Sequence, residues 1–223
     1  WNRADSKNFG KGFIFQNNIK EKFKNKKFEK IKFNKPKKLP LINLWNDYTI
    51  NIFNKFFYNY HKFIKKNNYN DTFKNVIFPF AGKEKYFDMF GKKGFIETQI
   101  LVKNSNVEEF LEEFETIFNF HKPSITLYSI KNISGQQKYL RFEDNRICLT
   151  FDFINNKKNI EFINLLDGLC VKYKALPSII KDSRLSASTI DLCYEFVSDF
   201  RNDLKKFDPK RVYKSELSER LKI

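Results

Sequence analysis

The chain has 223 residues, 41% of them hydrophobic and 27 of them Phe, which is enough for a sizeable and aromatic core. No apolar run approaches the ~20 residues of a membrane-spanning helix, and no signal peptide is visible. The sequence starts with Trp rather than Met, so we expect it to be part of a longer chain. Three separated cysteines and two histidines favour neither a disulfide framework nor a metal site nor a Ser/His/Asp triad. We expect the cysteines to be buried in a reducing, cytoplasmic protein, with membrane association left open.

The formal net charge is +16, and its excess lies at the start of the chain. Residues 1–85 contain 20 Lys and Arg against 6 Asp and Glu, whereas residues 86–223 contain 22 against 20. The lysines are densest in the stretch 19–38, which follows an irregular entry over 1–18. A lysine-rich stretch is typically a solvated face, but it also attracts phosphate-bearing partners, membrane surfaces or nucleic acid.

An amphipathic helix is predicted over 44–66. Its apolar residues recur at the three-and-four spacing that aligns side chains along one face of a helix. They are Trp45, Ile52, Phe53, Phe56, Tyr60, Phe63 and Ile64.

Strands and helices then alternate. The pattern predicts a strand over 95–102, a helix over 106–120, strands over 124–131 and 147–154, a helix over 158–176, a short buried strand over 177–180 and a helix over 186–209. Ser186 or Ser188 would cap the last helix, and Asp208-Pro209 would stop it. In the first strand Glu97 and Gln99 share a face.

This order predicts an α+β fold in which helices pack on one face of an antiparallel sheet. The opposite face would carry a group of polar residues, which marks either a site or a water-facing surface. They are Glu97, Gln99, Lys131, Thr150 and Asp152.

Four segments resemble a known family in the right order. They are KDSRLSASTIDLCYEFVSDFRNDLKKFDPKRVYKSELSERLKI, LWNDYTINIFNKFFY, FDMFGKKGFIETQILV and ICLTFDF. Together they resemble the FAD-linked oxidases of the vanillyl-alcohol oxidase superfamily, above all the oxidase subunits of the decaprenylphosphoryl-β-D-ribose 2'-epimerases. The sequence departs from the family pattern at Glu97, where the family often has Gln, and at Thr150 and Ser178.

The resemblance implies three parts. Residues 1–18 would end a flavin-binding half, residues 19–175 would form a substrate-binding or cap domain, and residues 176–223 would be a tail that returns to pack on the flavin domain. FAD would be bound mostly by a part of the protein absent from this chain, upstream or in trans, because the sequence has no glycine-rich phosphate loop.

The family chemistry is oxidation of a sugar hydroxyl by hydride transfer to flavin. On matching positions Lys181 would be catalytic and, with Ser178, would contact the cofactor. Substrate would be bound by Gln99, Lys131, Asp152, Glu97 and Thr150. The implied substrate is a polyprenyl-phosphate pentose or a related sugar or aldonolactone of cell-wall polysaccharide biosynthesis, with a short-chain reductase as a further partner.

Two other readings stay open at this point. The chain could be a non-catalytic basic module that binds nucleic acid or an anionic membrane surface through residues 19–38, although its aromatic residues are spaced for cores rather than for stacking on bases. It could also be a split subunit that needs a separate flavin domain. Arg184 and Asp182 would pair locally or hold the tail, since a turn arginine beside an aspartate is usually structural.

Overall fold

The computed structural model describes residues 10–14, 42–64, 85–181 and 183–223. Four strands run over β1 Phe95–Lys103, β2 Ile125–Ile133, β3 Arg146–Ile154 and β4 Leu176–Pro177. The helices are α1 Asp47–Ile64, α2 Lys85–Asp88, α3 Val107–His121, α4 Lys157–Tyr173, α5 Ala187–Cys193, α6 Val197–Phe207 and α7 Glu216–Leu221, with short 3₁₀ turns at Gly91–Lys93 and Asn104–Asn106. The lysine-rich stretch 19–38, most of the entry 1–18, and Asp182 lie outside the described residues.

The four strands form one sheet in the order β2-β3-β1-β4, and every neighbouring pair is antiparallel. The predicted α+β class with an antiparallel sheet is therefore confirmed. A bulge between Ile125 and Leu127 shifts the register at the start of β2. Because successive side chains of a strand point to opposite faces, this register sorts the residues of β1, β2 and β3 into an apolar and a polar face.

Helices α3 and α4 cover the apolar face. The rings of Phe114 in α3 and Phe151 in β3 stack with centroids 5.0 Å apart, and Phe162 of α4 lies 5.9 Å from Phe153. All four side chains are fully buried. The phenylalanines of α3 at positions 110, 114 and 118 point inward, because they recur every four residues along one face of the helix.

The stretch 186–209 was predicted as one helix, and this prediction is wrong. Helix α5 ends at Cys193, and Tyr194 takes an extended conformation before α6 begins at Val197. The break turns Tyr194 inward, where it is buried and its hydroxyl donates to the carbonyl of Pro177 at 2.8 Å. A buried Tyr hydroxyl needs such a partner, and neither Gly nor Pro marks the break in the sequence.

The start of the tail also differs in part from expectation. The strand predicted over 177–180 covers only Leu176 and Pro177, and a turn follows it. Ile179 is buried as predicted, whereas Ile180 is exposed. Ser186 is the cap of α5, since its hydroxyl accepts from the amide of Thr189 at 3.1 Å.

The C-terminal segment packs into the core of the sheet. Leu185, Ile190, Tyr194, Val197 and Leu221 belong to the same buried cluster as the residues of β1 and β3. The described part of 176–223 is therefore anchored on the sheet domain. Its contact with a flavin domain stays a prediction.

Helix α1 lies over a second, smaller cluster that contains Trp45, Ile50 and Phe90. Its inner side carries Ile50, Asn54 and His61, which are buried. Most of the apolar residues that the sequence pattern picks out in α1 lie instead on its outer side and are exposed, namely Ile52, Phe53, Phe56, Tyr60 and Phe63. Among the described helices none is both long and apolar enough to cross a bilayer.

Candidate functional site on the polar face of the sheet

The polar residues predicted to share one face of the sheet do so. Glu97 of β1 lies opposite Asp152 of β3, and Gln99 lies opposite Thr150. Lys131 of β2 lies opposite Cys148, which points to the same side. We call the surface formed by Glu97, Gln99, Lys131, Thr150 and Asp152 the polar face.

Lys181 reaches this surface from the turn after β4. Its Nζ lies 3.2 Å from Oε2 of Glu97 and forms an ion pair with it. The other carboxylate oxygen of Glu97 accepts a hydrogen bond from Nε2 of Gln99 at 2.7 Å. The side chain of Lys181 keeps 46% of its surface exposed, against 20% for Glu97. We call this edge of the polar face its rim. There the carboxylate of Glu97 binds both the ammonium group of Lys181, which is partly exposed, and the side-chain amide of Gln99.

Asp152 lies at the bottom of the polar face and is only 4% exposed. Its Oδ2 accepts a hydrogen bond from the hydroxyl of Tyr86 at 3.1 Å. The Tyr86 hydroxyl also lies 2.8 Å from that of Thr126, which in turn donates to the backbone carbonyl of Asp152. The carboxyl group is therefore buried and accepts a hydrogen bond from Tyr86 of α2, while Thr126 of β2 binds the backbone of the same residue.

Burial and the nearby charge of Glu97 raise the pKa of Asp152 from 3.8 to about 7. The hydrogen bond from Tyr86 and the positive charges of Lys181 and Lys131 act in the opposite direction. A carboxyl group with this pKa exchanges its proton near neutral pH, which is what acid–base chemistry on a hydroxyl group requires.

Tyr86 is a neutral donor at neutral pH. Burial first, and the charge of Asp152 second, raise the pKa of Tyr86 well above its usual value. The ring is fixed by contacts with Trp45 and Phe90, whose centroids lie 5.8 and 5.3 Å away. Gly91, with φ of +65°, lets the chain pass against Asn43, where an added Cβ would lie 3.1 Å from that residue's Cβ.

The remaining predicted site residues take different positions. Thr150 is buried next to Asp152, and Lys131 is exposed at the opposite edge. Ser178 is also buried, and its amide donates to the carbonyl of Gln99 at 2.8 Å. Its part here is to extend the β4–β1 pairing. The expectation that Ser178 contacts a cofactor stays a prediction.

Sequence reasoning missed Tyr86 and Thr126. Tyr86 lies on the four-residue helix α2, which is too short to leave a periodic pattern. Thr126 lies within the bulge region of β2, so simple alternation assigns its face incorrectly.

Arg184 holds the start of the tail against α4, whereas its predicted local pairing with Asp182 lies outside the described residues. Its guanidinium binds both carboxylate oxygens of Asp167 at 2.6 and 2.9 Å and also Oδ1 of Asn164. These residues line a surface depression of about 350 Å³ between α4 and α5. The charged groups of this depression, Arg184 and Asp167, already bind each other.

The described side chains differ in how well they suit a metal ion and a flavin. No cluster of His, Cys, Asp and Glu able to hold a metal occurs within the ranges that the structure describes. For a flavin, Lys181 supplies the cation that suits negative charge on a reduced ring. The sequence offers no GxGxxG loop for the pyrophosphate of FAD.

Comparison with known proteins adds no further constraint. No protein-family model matches the chain, and no curated protein matches it either.

Proposed function

We propose that this chain is the substrate-binding part of an FAD-dependent oxidoreductase that oxidises a sugar hydroxyl at the polar face. The observation that carries the proposal is the convergence of Lys181 and Glu97 above Asp152. An open cation and a buried carboxyl group of raised pKa on one surface suit removal of hydrogen from an alcohol. The motif order in the sequence supports the same assignment.

The substrate would be bound at the rim. Gln99 and Glu97 offer amide and carboxylate groups, the ordinary partners of sugar hydroxyls. Lys131 lies at the opposite, exposed edge, where an ammonium group suits a phosphate on the substrate. This arrangement fits a phosphorylated or lipid-linked pentose better than an uncharged aldonolactone.

Asp152 would accept the hydroxyl proton. Its carboxylate form is populated near neutral pH, and Tyr86 keeps the group in place through the bond to Oδ2. When bound, the flavin would supply the hydride acceptor, and most of it would be held by a part of the protein outside this chain. Lys181 would stabilise the negative charge that develops at the rim of the site.

The test is to produce the protein with its flavin half and to record its absorption spectrum. A yellow protein that bleaches without oxygen on addition of a polyprenyl-phosphate pentose is the expected result. The chain of 223 residues alone is expected to hold no FAD. A colourless extended protein contradicts the proposal, and a tight flavin complex of the short chain contradicts the proposed division.

The reading as a basic module for nucleic acid or anionic surfaces depends on residues 19–38, which lie outside the described residues. It stays a prediction with its own test. Binding through those lysines would weaken steeply with salt and would disappear when they are neutralised.

A further inference from the structure

The outer face of α1 is an exposed stripe of large apolar side chains. Tyr48, Phe56 and Phe63 are 75%, 68% and 79% exposed, and Ile52 and Tyr60 lie between them. These residues recur every three or four positions, so they form one continuous line along the 18-residue helix, about 27 Å long. We call this line the aromatic stripe.

An apolar surface of this length is costly to leave in water and normally marks an interaction site. The opposite side of the helix already packs on the protein through Ile50 and His61, so the stripe is not part of the core. The stripe is the side of α1 that stays exposed among the described residues, and it is therefore the side on which we expect a partner to bind.

The charges beside the stripe indicate which partner it suits. Lys55 and Lys62 are exposed and lie one helical step from the stripe, along one of its borders. Asp47 is the one acidic residue of α1, and it is engaged by the hydroxyl of Ser124 and the amine of Lys158. With two lysines against one aspartate, the net charge of the helix is positive, and residues 1–85 carry a net charge of +14, from 20 basic and 6 acidic residues.

We propose that the aromatic stripe of α1 binds the surface of an anionic lipid bilayer. A helix with an apolar side, a basic border and aromatic residues at its edges lies in the plane of the membrane interface. Tyr48 and Tyr60 suit the headgroup region because each joins an apolar ring to a polar hydroxyl. Phe56 and Phe63 would enter the acyl boundary, and the two lysines would face the lipid phosphates.

This surface is close to the candidate site. Trp45, just before α1, contacts the ring of Tyr86, whose hydroxyl binds Asp152. Bilayer binding at α1 would therefore hold the polar face near the lipid surface, where lipid-linked molecules are found. The proposal itself depends only on α1 and stands apart from the oxidase function.

The experiment measures binding of the whole protein to vesicles of phosphatidylcholine with and without phosphatidylglycerol, at low and high salt. The wild-type protein is expected to bind the anionic vesicles and to retain part of this binding at high salt, where purely electrostatic contacts are screened. The double substitution Phe56→Ser/Phe63→Ser should weaken binding about a hundred-fold or more, because it removes the inserted rings. Lys55→Gln/Lys62→Gln should weaken binding to the vesicles that contain phosphatidylglycerol by about thirty-fold and should leave binding to pure phosphatidylcholine unchanged.

The matched control is Phe120→Ser, which removes a phenylalanine that is 83% exposed on α3. It should bind as the wild type does. A direct readout is the fluorescence of Phe63→Trp, which should shift to shorter wavelength with anionic vesicles, whereas that of Phe120→Trp should not. Circular dichroism checks that each variant is folded.

Four results would overturn the proposal. The first two are absence of vesicle binding by the wild type and unchanged high-salt binding by Phe56→Ser/Phe63→Ser. The third is sedimentation of the wild type as a dimer that this variant breaks while neither binds lipid, which would assign the stripe to a second copy of the chain. The fourth is binding that disappears entirely at high salt, which would assign the contact to the lysine-rich stretch.

Discussion

Lys181 and Glu97 are 84 residues apart in the sequence, and their side chains form an ion pair at 3.2 Å. The contact exists because β4 pairs antiparallel with β1, and the turn that follows carries Lys181 back along the polar face. The same glutamate holds Gln99 through its other oxygen. One carboxylate thereby aligns a cation and an amide at the rim of the candidate site.

Replacing Lys181 by Ala should abolish turnover in the complete enzyme while leaving the fold intact. The ion pair is half exposed, so its loss should change the free energy of unfolding by less than about 1 kcal/mol. If the proposed function is right, loss of the cation that stabilises the developing charge should lower kcat by about a hundred-fold or more. Steady-state kinetics and a urea melt measure the two effects.

The control for this substitution is Lys157→Ala, which removes an exposed lysine paired with Glu161 on α4. It should leave both activity and stability unchanged. Wild-type turnover by Lys181→Ala would instead make the KDSR segment a structural turn.

The stability of the protein should fall as pH rises through the pKa of Asp152. The pKa of about 7 in the folded state lies above the ordinary value of 3.8 in the unfolded state, so between these pH values the folded state binds more protons than the unfolded state. The contribution is fully present below about pH 4 and is lost as pH rises past about 7, by up to about 4 kcal/mol. Asp152→Asn cannot ionise and should lack this loss.

The measurement is the free energy of unfolding of wild type and Asp152→Asn at several pH values. Taking the difference between the two proteins removes the contribution of the histidines and of the surface carboxylates. Parallel curves from about pH 5 to about pH 8 would show that Asp152 is ionised throughout and would contradict the raised pKa.

Tyr86→Phe should raise the pKa of Asp152 further. The substitution removes the hydrogen bond that favours the carboxylate, and it leaves the buried hydroxyl of Thr126 without that neighbour. We expect a loss of about 1 to 3 kcal/mol in the free energy of unfolding and a shift of the pH–rate profile to higher pH. An unshifted pH–rate profile would show that Tyr86 does not affect the protonation of Asp152 during turnover and would contradict this prediction.

Phe114→Ala should destabilise the protein by about 3 to 5 kcal/mol, because it leaves a cavity between α3 and β3. Phe120→Ala on the same helix is the matched control, since Phe120 is exposed, and it should change stability by less than about 0.5 kcal/mol. Thermal or urea denaturation distinguishes the two. Equal losses would contradict the assignment of the core face of α3.

Local periodicity was sufficient to predict most of the elements. The two-residue alternation of β1 and β3 gave the polar face correctly, including Glu97 and Asp152, because strand geometry alone determines which side chains share a face. The phenylalanines of α3 were equally readable. These features depend on neighbours in sequence.

Features that depend on contacts between residues far apart in the chain could not be predicted from the sequence. The break before α6 follows from the buried bond between Tyr194 and Pro177. The outward orientation of the aromatic stripe follows from what α1 packs against, since spacing shows that a helix has an apolar side and cannot show where that side points. The contact of Tyr86 with Asp152 joins residues 66 positions apart through a helix of four residues.

The most direct test of the central claim is the rate at which substrate reduces the flavin of the complete enzyme without oxygen. The account predicts rapid bleaching of the wild-type protein by a polyprenyl-phosphate pentose, and bleaching slower by about a hundred-fold or more in Lys181→Ala with the same flavin content. Equal rates in the two proteins, or no bleaching in either, would contradict it.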